Sequence, residues 1–122
     1  MSDDLHFLTI AEAGKRIAKK DLSPVELVEN YVDRIETLNP QLDAFVTPTL
    51  ELAVEQAKSA EAEIAAGNHK GPLHGVPFGL KDIYETKGIL TSGHSKVMED
   101  YIPEQDATTT AKLYEARHGA YR

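Results

Sequence analysis

Gly71-Pro72-Leu73-His74-Gly75-Val76-Pro77-Phe78-Gly79-Leu80-Lys81-Asp82 packs three glycines and two prolines into twelve residues, interleaved with apolar side chains. Prolines bar a helix interior, and glycines let the backbone turn sharply or approach a neighbour closely. The stretch reads as a turn feeding a buried strand, with Val76, Phe78 and Leu80 on one side. Lys81 ends that strand and Asp82 follows it directly. A lysine at a strand end either points into water, the ordinary case, or sits in a desolvated pocket. In the second case it gives up its proton more easily and can act as a base near neutral pH. Its position alone leaves both readings open.

Upstream, the chain reads as three helices. Thr9 with Glu12 three residues later is a capping-box pattern, and Ile10, Ala13, Ile17 and Ala18 follow on one face, with Gly14 interrupting. Ser23-Pro24-Val25-Glu26 is a second start: Ser23 caps, Pro24 takes the first turn, and Glu26 closes the box. Val25, Val28, Val32, Ile35 and Leu38 trace its apolar stripe, which the proline rule ends at Asn39-Pro40. Ala44-Phe45-Val46 suggests a short strand. Thr47-Pro48-Thr49 opens an alanine-rich helix through Ala53, Ala57, Ala60 and Ile64 to Gly67-Asn68. Downstream, residues 83–104 read as loop with one or two short strands, and a last helix starts at Asp106 or Thr108.

The bulk numbers limit what such a chain can do. Its 122 residues suffice for one small domain, with 41 % hydrophobic and 27 % charged residues, an ordinary globular composition. With no Trp, three Phe and five Tyr, the core must rest on Leu, Ile, Val and Ala. A net charge of −7 repels phosphate backbones, and the basic cluster Lys15-Arg16 with Lys19-Lys20 reads as a solvated helix face, so no direct nucleic-acid contact is expected. The absence of cysteine excludes disulfides, thiolate metal sites and cysteine nucleophiles. His6, His69, His74, His94 and His118 form no i, i+4 helical pair, so neither a metal site nor a cofactor site is expected. No signal peptide or membrane span is evident after the acidic start, and the cytoplasm is the default location.

The segment Gly71–Asp82 resembles the lysine motif of the amidase-signature family, Gly-Pro-Leu-x-Gly-apolar-Pro-apolar-Gly-apolar-Lys-Asp. Leu22–Val28, Leu38–Phe45, Lys87–Ser95 and Asp106-Ala107-Thr108 are similar to flanking parts of that family, so the likeness runs from about Leu5 to Glu115. The resemblance implies an α/β architecture in which N-terminal helices pack on the first strands of a mixed sheet, with residues 1–122 forming the N-terminal part of one incomplete domain. It also implies hydrolysis of carbon–nitrogen amide bonds by a Ser-cisSer-Lys mechanism. In that mechanism Lys81 takes a proton from a serine in a cis peptide, which relays the demand to a nucleophilic serine that attacks the amide carbonyl.

The Gly-Ser-rich segment that carries those serines in the family is not found among these residues. Of the five serines, Ser2 is terminal, Ser23 is a cap and Ser59 lies mid-helix, while Ser92 and Ser95 flank Gly93-His94 in what reads as a structural loop. The chain is therefore expected to be catalytically silent as it stands. The tail Arg117-His118-Gly119-Ala120-Tyr121-Arg122 lacks the strand pattern of relatives and reads as a truncation. A sheet cut short would leave strand edges and apolar surface exposed, and so poor solubility. Three readings follow: a simple amidase acting on a small amide, alone or as a homo-oligomer; the glutaminase part of a glutamyl- or aspartyl-tRNA amidotransferase complex, its A subunit; or a non-enzymatic interaction fragment.

Overall fold

The computed structural model describes residues 4–118. Among these described residues four helices carry the fold: α1 (Ile10–Ala18), α2 (Pro24–Leu42), α3 (Leu50–Ala65) and α4 (Thr108–His118), with 3₁₀ turns at Leu5–Phe7 and Lys96–Met98. The tail from Gly119 lies outside the described residues.

Each helix end follows from its sequence. Thr9 and Glu12 form the full capping box of α1, each satisfying the other's backbone N–H. The helix closes with Lys20 in the left-handed region (φ 63°), where the Lys20 N–H donates to the Ile17 carbonyl and the Asp21 N–H to the Arg16 carbonyl. Ser23 Oγ accepts from the N–H groups of Val25 and Glu26 to start α2, above Pro24 in the first turn. The expected box does not close there. The Glu26 carboxylate makes no bond to the Ser23 backbone N–H, while the Ser23 hydroxyl donates to Glu61 of α3, so the cap also ties α2 to α3.

α2 runs past the expected stop at Asn39-Pro40 and ends at Leu42. Pro40 sits in the last turn, where it removes one helical hydrogen bond and little else. Asn39 secures the exit instead: its side chain accepts from the Phe45 N–H (2.8 Å) and donates to the Phe45 carbonyl (3.1 Å), while Asp43 takes the left-handed C-cap. At the end of α3 the Gly67 N–H (φ 88°) reaches the Ile64 carbonyl and the Asn68 N–H the Glu63 carbonyl, the two bonds of a Schellman closure.

The core joins Leu5, Ala13, Ile17, Leu22, Leu27, Ile64 and Val76, with Leu8 and Tyr31 packed against it. α2 lies along α3, whose Ala57, Ala60 and Ile64 are buried as their spacing predicts. On α1 the buried stripe is Ala13, Gly14 and Ile17, and Ile10 is left 65 % exposed. On α2 the deepest residues are Leu27 and Val28; the remainder of the expected stripe is only partly covered, and Leu38 is exposed.

The expected mixed sheet is absent among the described residues. The segments 44–46 and 76–81 are irregular and have no ladder partner, and among the described residues one antiparallel bridge joins Thr86 to Ile89. A strand is defined by its neighbour's hydrogen bonds, and these segments have none among the described residues. Segment 85–91 is held instead by isolated bonds to segment 101–110: Gly88 N–H to the Pro103 carbonyl, Thr91 N–H to the Tyr101 carbonyl, and Thr110 Oγ1–H to the Glu85 carbonyl. Among the described residues no helix is long and apolar enough to cross a membrane.

Candidate functional site

The glycine-proline segment is seated by two close backbone approaches. A Cβ on Gly14 would lie 2.3 Å from the Pro72 carbonyl oxygen, so α1 accepts the turn only where it carries a glycine. Gly75, at φ 84°, faces the Pro24 ring at the head of α2, 2.9 Å from where a Cβ would stand. Inside the turn the His74 N–H donates to the Gly71 carbonyl and the Val76 N–H to the Leu73 carbonyl.

His74 is fully buried beneath this turn. Its Nδ1 accepts the Lys70 N–H (3.1 Å), which puts the proton of the neutral ring on Nε2, 3.2 Å from Glu63 Oε2. Glu63 also pairs with Lys70 Nζ at 2.6 Å. Burial holds the His74 pKa below its ordinary value, against the opposing pull of Glu63. The imidazole is thus a structural pin of the turn. Among the described residues no three His, Asp or Glu side chains converge as a metal site would require.

From Val76 the chain runs without regular secondary structure to Lys81, passing Phe45 at Gly79. Lys81 is exposed and lines a cleft of about 740 Å³ between α2, α3, α4 and segments 44–50, 77–84 and 89–94. The adjacent Asp82 acts as a clamp. Its carboxylate accepts the Ser92 N–H (3.0 Å) and the Ser92 hydroxyl (2.6 Å), and its carbonyl accepts the Gly93 N–H (2.8 Å). The Ser92 hydroxyl bond is the main cause that lowers the Asp82 pKa, since it favours the ionised carboxylate. Ser92 is buried; its Oγ accepts the His94 backbone N–H and gives its hydroxyl hydrogen to Asp82, so the His94 imidazole does not receive that hydrogen here.

The other described serines are accounted for as well. Ser23 caps α2, Ser95 Oγ accepts from the Val97 N–H at the second 3₁₀ turn, and Ser59 is exposed within α3. None of them completes a nucleophile–base pair. Sequence reasoning passed over Asp82 as a clamp and Arg117 as part of the cleft. Arg117 is buried, its guanidinium 4.8 Å above the Phe78 ring, whose edge also meets Tyr114. Nothing in the sequence hinted at this, because Arg117 falls in the tail segment 117–122, which reads as a departure from the family pattern.

Known proteins resemble this chain in sequence and fold. The A subunit of glutamyl-tRNA(Gln) amidotransferase from Carboxydothermus hydrogenoformans is 42 % identical over 113 residues, covering 93 % of this chain and 23 % of that protein. Its counterpart from Geobacter sp. strain M21 is 45 % identical over 108 residues, covering 88 % and 22 %. Among solved structures, a bacterial aryl acylamidase of the amidase-signature enzymes superimposes with a TM-score of 0.81 at 28 % identity, covering 90 % of this chain and 23 % of that one. The chain thus spans under a quarter of the length of the proteins it matches. The Amidase family model matches residues 26–120, which takes in the turn, Lys81, Asp82 and its clamp, and α4. With the fold and the lysine segment agreeing, this chain belongs to the amidase family.

Proposed function

We propose that residues 1–122 form the lysine-bearing N-terminal part of a single amidase-signature domain that hydrolyses carbon–nitrogen amide bonds in the cytoplasm, with Lys81 as the proton acceptor. One observation carries this reading. In a chain of this family, Lys81 stands at the end of the glycine-proline segment, in the wall of a cleft of about 740 Å³, with its neighbour Asp82 bound to a buried loop serine. A lysine whose next residue is clamped in place can take a proton from a hydroxyl brought up to its amine. Lys81 is exposed in this chain, so the rest of the domain supplies both the hydroxyls and the wall that dries the amine. The unpaired segments 76–81 and 44–46 then become strands of the mixed sheet once their partners are present. Among the described residues no serine is paired with a histidine or lysine base, and on this reading the chain alone does not hydrolyse amides.

A second reading refines the first. The relatives named above, at 42 % and 45 % identity, are A subunits of glutamyl-tRNA(Gln) amidotransferase, which favours a role in a multi-subunit complex over a free-standing amidase. The test joins residues 1–118 to the remaining three-quarters of such a relative and assays release of ammonia from small amides, glutamine among them, with and without the partner subunits. Hydrolysis by the joined protein and none by this chain supports the proposal. A joined protein that folds but hydrolyses nothing, with or without partners, refutes it. Activity that requires the partner subunits selects the amidotransferase reading.

A further inference from the structure

The charges in the cleft wall are unevenly matched. The chain carries −7 overall, yet the charged side chains that line the cleft are Lys81, Arg117 and one carboxylate, Asp82. That carboxylate is occupied by Ser92. Arg117 is 6 % exposed and faces no acidic partner among the described residues. Its Nη1 donates to the neutral Gln56 Oε1 at 3.3 Å, the ring of Phe78 lies beneath the guanidinium, and the buried Nε–H has no hydrogen-bond acceptor among the described residues. Burying a guanidinium without an anion is costly, and an orphaned N–H adds to that cost. The remaining wall is mostly apolar and aromatic, including Tyr31, Phe45, Phe78 and Tyr84, with threonines and His94 among it, and its volume suits a small organic ligand.

We infer that Arg117 is the anion-holding group of a binding site in this cleft, and that the ligand is a small carboxylate with an apolar or aromatic body. Arginine presents its N–H groups in a planar fork that matches a carboxylate, and Phe78 and Gln56 hold one face and one end of the fork in place. The body of the ligand lies against the aromatic wall. The inference shares the cleft with the proposed amide hydrolysis but does not depend on it, because it concerns binding by this chain alone. If both hold, the ligand class corresponds to the acid that cleavage of an apolar acyl amide would release.

The test titrates the 122-residue chain with 3-phenylpropionate and, separately, with uncharged 3-phenylpropanamide, following amide and arginine side-chain signals by NMR. The carboxylate is expected to bind at least about tenfold more tightly than the amide, the discrimination of one charge-assisted hydrogen bond, and to shift the Arg117 Nε–H signal. Arg117→Gln is expected to remove that preference and leave the weak binding of the amide unchanged. Equal binding of the two probes, binding of neither, or binding that leaves the Arg117 Nε–H signal unmoved overturns the inference. The last readout uses the unmutated chain, so it stands even if Arg117→Gln does not fold.

Discussion

Gly14→Ala sets two well-defined effects against each other. An alanine inside a helix is favoured over glycine by about 0.8–1.0 kcal/mol, so propensity alone predicts a more stable α1. The structure predicts the opposite. The new Cβ would stand 2.3 Å from the Pro72 oxygen, whereas real Cβ atoms keep at least 3.0 Å, so α1 and the turn must part by at least 3.0 − 2.3 = 0.7 Å. The obstacle is a backbone carbonyl in a turn braced by the His74–Gly71 and Val76–Leu73 bonds, and it cannot rotate aside as a side chain would. Overpacking of this kind costs about 1–3 kcal/mol, and a backbone clash belongs at the upper end. The net is a loss of about 1–2 kcal/mol. Urea unfolding followed by circular dichroism should then show a midpoint lowered by roughly 1 M, at a slope typical of small domains. A midpoint that is unchanged or raised would mean that the turn does not rest on Gly14, and with it would go the argument for how Lys81 is placed.

Further outcomes follow from the same contacts. Gly75→Ala should destabilise more than Gly14→Ala does, because it combines a clash on Pro24 with a left-handed φ; a smaller effect by the same urea assay contradicts this. Ser23→Ala should cost about 1 kcal/mol, since it removes the α2 cap together with the tie to Glu61; a thermal melt that matches the parent's would contradict that assignment. Asp82→Ala should free the 91–95 loop and speed amide hydrogen exchange at Ser92 and Gly93, leaving α1 protected; unchanged exchange at those two amides would refute the clamp. His74 gives a pH signature. Its folded pKa lies below the ordinary 6.5, so the unfolded chain binds the proton first, and stability, complete above pH 6.5, declines as the pH falls toward the lower folded value. His74→Gln should flatten that decline, and a parent stability independent of pH between about 7 and 5 would remove the pin.

How much of the molecule is legible in its sequence depends on the range of the forces involved. The caps at Thr9 and Ser23, the buried alanines of α3 and the turn at Gly71–Gly75 all depend on residues a few positions apart, and the sequence displays them. Lys81 is found through a motif that only a resemblance makes readable, because nothing in its neighbours distinguishes an anchored lysine from a solvated one. Long-range partners account for the departures. Ser23 spends its hydroxyl hydrogen on Glu61, thirty-eight residues away, and Asn39 carries α2 past the proline by holding Phe45. The segments 44–46 and 76–81 have strand-like composition, yet strand formation depends on hydrogen bonds that the described residues do not supply. Gly14, a weakness in a helix by propensity, is what lets the turn approach.

The role of Lys81 is tested most directly by the turnover of the completed domain, residues 1–118 joined to the remainder of a family relative, when Lys81 is replaced by alanine. If Lys81 is the proton acceptor, kcat for amide hydrolysis falls by about 10²–10⁴-fold with KM little changed. A folded Lys81→Ala protein that retains the parent's kcat would show that the proton goes elsewhere.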